Sequence, residues 1–152
     1  MKYKTKTVLP IIGMAILIVI AAIAVATGDA DEVKHPLPAT LTNLVDVKMV
    51  EIKDSSDQVI LSGSFSAPTQ TGGELERKAA LTSAGVDSDA SGQAEIEVAT
   101  KNGVTEQELD LEVNNLAAGA SFRLFVDGQE ITAFTTSPQG DAELEFSNET
   151  SK

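Results

Sequence analysis

The 152-residue chain has no cysteine and no tryptophan, and only one tyrosine and one histidine. Without cysteine, a disulfide framework, thiol catalysis, thiolate-bound zinc and a lipidated cysteine are all excluded. Aromatic residues make up 4% of the chain, so a core must be assembled mainly from Val, Leu, Ile and Ala. The lone histidine, His35, stands beside Pro36 with no serine or acidic partner at an interpretable spacing. Gly-rich phosphate loops, nucleophile elbows and His-based zinc motifs are also missing. No catalytic residue, cofactor site or resident metal is therefore expected, and the chain reads as non-enzymatic. Positive charge is scarce as well. Past three N-terminal lysines, eight basic residues face 23 acidic ones, a net of −15 within an overall −12. Such a surface repels phosphate backbones, which argues against nucleic acid as a partner.

What is present begins with a hydrophobic run. Lys2, Lys4 and Lys6 precede 19 uncharged residues from Val8 to Ala26, and Asp29, Asp31 and Glu32 follow. A helix of that length spans about 28 Å, close to the hydrocarbon thickness of a bilayer. Lysines before the run and acids after it place the N-terminus in the cytoplasm and the remainder outside. Pro10 falls in the first turn, where a missing N–H costs little. Val8, Pro10, Gly13, Ile20 and Ala26 thus mark a single-pass membrane anchor, residues 1–28. Ala24-Val25-Ala26 also offers a small-residue cleavage site, so an uncleaved anchor and a cleaved signal segment both stay open. Either outcome puts the rest of the chain in the periplasm or outside the cell.

Residues 29–43 carry Pro36 and Pro38 and read as an extended linker. From Leu44 the pattern turns to period two, the mark of half-buried strands. Val45, Val47 and Met49 alternate with polar residues, and the change of face at Val50 and Ile52 suggests a bulge. Further alternating runs end near Phe65, Leu81, Val98, Val113, Val126, Thr135 and Phe146. Asp127-Gly128 between two such runs is a strong hairpin signal. About eight short strands over 44–148, with a tail at 149–152, predict an all-β fold. The expected architecture is an antiparallel β-sandwich or small barrel. One face of each strand is aliphatic and the other acidic, so each sheet should have one packed and one wet face.

Residues 87–92, DSDASG, place oxygen side chains at alternate positions before a glycine. Asp87, Asp89 and Ser91 would serve as the first, third and fifth ligands of a calcium loop. The twelfth position of such a loop is a bidentate Glu, whereas here it is Val98. A second test lies within the chain. Gly92-Gln93-Ala94-Glu95-Ile96-Glu97-Val98 recurs as Gly140-Asp141-Ala142-Glu143-Leu144-Glu145-Phe146, which indicates a duplicated hairpin unit. In the second copy Thr135, Ser137 and Gln139 replace the would-be ligands, while the glycine and the acidic strand remain. A turn feeding a strand is therefore expected, with Gly92 and Gly140 supplying left-handed backbone. Carboxylate pairs such as Glu95/Glu97 and Glu143/Glu145 lie about 7 Å apart on one strand face, a spacing glycosidases share, yet they read as solubilising faces. Asn148-Glu149-Thr150 fits a glycosylation sequon.

Two stretches resemble known groups. Lys6-Thr7-Val8-Leu9-Pro10-Ile11-Ile12-Gly13 with its apolar helix resembles the N-terminus of archaeal type IV-like pilins, though Thr7 stands where those pilins carry a small residue. That likeness implies a filament subunit with its helix in a fibre core. Residues 111–146 are similar to repeats of uncharacterised secreted bacterial β-proteins, through the Ala-Gly turn, Val126-Asp127-Gly128 and Gly140-Asp141-Ala142-Glu143-Leu144-Glu145-Phe146. That likeness implies an exported, non-enzymatic β-module. The expectation is a membrane-anchored extracytoplasmic domain acting as a structural or accessory subunit. Its expected partners are other membrane or envelope proteins, the bilayer through its helix, and copies of itself. A filament subunit and a calcium-dependent adhesion module are the alternatives.

Overall fold

The computed structural model describes residues 34–149. The anchor residues Val8, Pro10, Gly13, Ile20 and Ala26 lie outside the described residues. Among the described residues ten strands follow one another: β1 (Lys34–Pro36), β2 (Met49–Lys53), β3 (Val59–Ser64), β4 (Thr69–Thr71) and β5 (Glu74–Ser83). They continue with β6 (Ser91–Lys101), β7 (Val104–Asn114), β8 (Ser121–Val126), β9 (Gln129–Thr135) and β10 (Ala142–Ser147). One hydrogen-bonded path joins nine of them in the order β1-β10-β7-β6-β5-β3-β2-β8-β9, with β4 paired to β5 beside it. The path curls into a half barrel. All pairs are antiparallel except β1 with β10.

The all-β class follows from the alternation. Ala79 and Leu81, Ala94 and Ile96, Leu109, Leu111 and Val113, and Phe122, Leu124 and Val126 are buried, while the residues between them are not. β1 and β4 are three residues each, too short to show a period, so ten strands stand where about eight are expected.

The start of the domain differs in kind. Leu44–Asp46 is a 3₁₀ turn, not a strand, and the Asn43 side chain caps it by accepting from Val45 N at 3.2 Å. The change of face at Val50 thus marks where β2 begins, and the register shift lies further on, between Ile52 and Lys53 against β3. Residues 34–43, which read as linker, take part in the fold. Leu41 is buried with Leu44 and Val47, and Leu37 packs against the same core.

Two side chains pin this segment down. Arg77 donates to Val45 O and Val47 O at 2.6 Å each and to Ser66 O at 2.9 Å. Gln107 accepts from Leu44 N at 2.9 Å and donates to Thr42 O at 3.2 Å. Three carbonyls thus depend on one guanidinium, and a charged donor is worth more than a neutral one. Arg77→Met is expected to lower the unfolding free energy by roughly 2 kcal/mol, read from the urea midpoint. An unchanged midpoint would show that the segment is held by its apolar contacts alone.

The two copies of the acidic repeat lie on either side of β7. Glu95 of β6 and Glu145 of β10 are both registered against Asp110, and Gln93 and Glu143 both against Glu112. Only the strand is repeated, not a hairpin: β6 turns directly into β7, whereas β10 pairs with β7 and β1, both distant in sequence. The glycines differ too. Gly140 has φ +91°, as a turn demands. Gly92 lies inside β6 without left-handed backbone, and a Cβ there would stand 2.6 Å from Glu112 O. Close approach of β7, not turn geometry, requires that glycine.

Candidate functional site

Four neighbouring strands, β10, β7, β6 and β5, each turn an acidic face away from the aliphatic core, and their registers align these faces into rows. One row runs Glu145, Asp110, Glu95, Lys78 across the four strands. The next runs Ser147, Glu108, Glu97, Glu76. A third places Glu143 and Gln93 on either side of Glu112, with Gln93 donating to the Glu112 carboxylate at 3.0 Å. Like charges directly opposite each other on a sheet destabilise it. The rows are partly compensated: Lys78 Nζ stands 3.0 Å from both Glu76 and Glu95, and Lys101 Nζ 2.9 Å from Glu106.

Within these rows two trios bring carboxylate oxygens within 4.8 Å of one another: Glu76, Glu95 and Glu97, and Glu108, Asp110 and Glu145. Oxygen-only sets of this kind suit hard cations such as calcium. In the first trio the protein's own Lys78 already bridges two members. In the second, Glu145 is buried at 3% exposure. Two shallow depressions dent the face. One of about 130 Å³ is lined by Gln93, Glu95, Asp110, Glu112 and Glu143, and one of about 90 Å³ by Glu74, Glu97, Lys101, Glu106 and Glu108 among others. Both are smaller than the roughly 300–1,000 Å³ typical of small-molecule pockets. The face is an extended acidic surface, suited to contact over area.

Crowding shows in the titration of its members. Partial burial raises the Glu97 carboxyl above its ordinary 4.5, and the neighbouring Glu74, Glu95, Glu108 and Glu76 raise it further. Hydrogen bonds to Glu76 and Glu95 raise Lys78 above 10.5. The folded chain therefore binds the Glu97 proton more tightly than the unfolded chain does. That contribution to stability is complete below 4.5 and disappears as pH rises through the raised folded value. Asp87, raised from 3.8 chiefly by a hydrogen bond with Asp89, acts in the same direction. The domain should melt at higher temperature near about pH 5 than near neutrality, and the gap should shrink in salt, which screens the face. Melting that falls between neutrality and about pH 5 would contradict this.

The other residues singled out in the sequence lie elsewhere. Asp87 and Asp89 sit in the loop between β5 and β6, where the Asp89 carbonyl accepts from the Asn115 side chain at 3.3 Å. Ser91 is already in β6, opposite Thr82 and Asn114. His35 packs against Phe146 with ring centroids 5.5 Å apart. Gly128 closes the hairpin between β8 and β9 with φ +81° after Asp127 at +49°, as the Asp-Gly pair predicts. The Asp127 carboxylate also accepts from Lys48 N and Met49 N, at 2.9 Å each. Asn148 of the sequon has its amide committed to the fold, accepting from Gln107 N at 2.8 Å and donating to Thr105 O at 3.1 Å.

The carboxylate pairs look like separate solubilising faces along the sequence. What sequence reasoning missed is that strand order stacks them into one surface. The signal was the shared period-two acidity of β6, β7 and β10, which becomes a surface only once these strands are neighbours. Comparison of the chain with family models, with curated proteins and with solved structures finds no match.

Proposed function

We propose that the chain is a membrane-tethered, extracytoplasmic accessory subunit, whose open small-barrel domain docks a basic protein surface on its acidic sheet face. The observation that carries this reading is the register of half-buried carboxylates, Asp110 against Glu95 and Glu108–Glu97–Glu76, which Lys78 offsets only in part. Such rows work against the free domain's own stability, and local violations of that kind concentrate at functional surfaces. A basic partner would neutralise them on contact and steer association from a distance. Shallow depressions lined mainly by carboxylates, smaller than the roughly 300–1,000 Å³ of typical small-molecule pockets, favour docking over area.

The tether rests on the sequence: three lysines, then the uncharged run Val8–Ala26, then acids. Intact mass of the protein taken from a native membrane fraction tests it. Retention of residues 1–26 is the expected result. A species beginning after Ala26 and recovered without detergent would remove the anchored-subunit reading.

A further inference from the structure

We infer that Asn102 is the chain's site of spontaneous covalent modification, converting to aspartate or its β-linked isomer at the tip of the β6–β7 hairpin. The reaction needs only water. The Gly103 amide nitrogen attacks Asn102 Cγ, and a five-membered succinimide closes as the Cγ–Nδ2 bond breaks. Nδ2 leaves as ammonia with the Gly103 amide proton. Water then opens one of the two ring carbonyls, giving an ordinary aspartate or the isomer in which the backbone runs through the side chain.

The structure places Asn102 apart from every other asparagine. Asn102 and Gly103 form the two-residue turn that closes the Lys101–Val104 pair, with φ +53° and +79°, and both are exposed. Nothing lies within 4 Å of where a Gly103 Cβ would stand, so no other part of the chain crowds that side of the turn, and glycine itself puts no Cβ beside the attacking nitrogen. Among the described residues the Asn102 side chain makes no hydrogen bond. Each of the others does. Asn43 donates to Asp46 and accepts from Val45 N, Asn114 donates to Glu112, Asn115 to Asp89 O, and Asn148 is held at both ends. The residues following them are Leu44, Asn115, Leu116 and Glu149, all with a Cβ beside the nitrogen. Opening one such side-chain bond before reaction slows it roughly fivefold to tenfold.

The Asp127-Gly128 turn is an internal control. Its backbone matches, at φ +49° and +81°, but the carboxylate is tied to Lys48 N and Met49 N. That turn also shows that aspartate fits the geometry, so the ordinary aspartate product keeps the hairpin. The β-linked product lengthens the backbone by one methylene and breaks the two-residue register. Either product adds a negative charge beside Lys101 and Glu106, at one end of the acidic face.

The test uses the full chain in mild detergent, held in mildly alkaline buffer while still folded by circular dichroism. Intact mass and peptide mapping follow amide-to-acid conversion and β-linked residues with time. Asn102 should react first, at least about tenfold faster than any other asparagine, through its free side chain and glycine neighbour together. Asp127 should stay unchanged in the folded chain and isomerise only in urea. Asn102→Asp should abolish the early mass gain without altering the melting temperature. An early gain that maps to another asparagine, one that persists in Asn102→Asp, or conversion of Asn102 confined to urea would each overturn the inference.

Discussion

Gly140→Ala is expected to destabilise the domain by about 3 kcal/mol or more, from left-handed backbone and a steric clash acting together. The residue lies at φ +91°, and a Cβ there would come 2.1 Å from Leu116 O. The backbone cannot yield easily, because two loops interlock at that point. Leu116 N donates to Gly140 O at 2.9 Å and Gly119 N to Ser137 O at 3.0 Å. The buried Thr136 hydroxyl donates to Ala117 O at 2.7 Å and accepts from Ala120 N at 3.1 Å. Gly128→Ala separates the two causes. It has a similar φ, +81°, but open space around its missing Cβ, so only the conformational cost of about 1–2 kcal/mol remains. Urea unfolding of both variants checks this. Equal losses would mean that the Leu116 contact relaxes freely.

The second large effect belongs to the core. Leu111 is 1% exposed in the second half of β7, registered between Ala94 on one side and Leu144 on the other. Beside a small Ala94 there is little to collapse into the space that Leu111→Ala leaves. The expected loss is roughly 2–5 kcal/mol, a large share of the 5–15 kcal/mol that holds a typical domain. For a domain of this size the melting temperature should fall by roughly 10–20 °C. Val104→Ala, at 62% exposure on the hairpin tip, should change it little. A Leu111→Ala variant that melts with the wild type would mean that β7 is not the centre of the core.

The β class was legible because alternation survives tertiary context: Ala94, Ile96 and Leu109, Leu111, Val113 point inward as their period requires. Asp127-Gly128 announced its turn. Asn102-Gly103 carries the same signal and forms the same kind of turn, with φ +53° and +79°. Val45 and Val47 imitate a strand, but Asn43 caps a 3₁₀ turn and Arg77 then claims the carbonyls. Gly92 and Gly140 look equivalent in the repeat and have different reasons to be glycine, since close approach of a neighbouring carbonyl leaves no mark on local sequence. Least legible was the acidic face. Glu95, Asp110 and Glu145 become one row only because β10 crosses to β7 and does not fold back on β9. Nothing in the acidic period itself encodes that choice of partner.

One variant measures both sides of the proposed exchange of stability for docking on this face. In the triple replacement Glu95→Gln, Glu97→Gln, Asp110→Asn, the shapes are kept and the like-charge rows are neutralised. Native electrophoresis of mild-detergent extracts should show the wild-type chain in a larger complex. The triple variant should run alone, although it melts at a higher temperature than the wild type. A variant that stays in the complex, or a wild-type chain that already migrates as a lone monomer, would contradict the account.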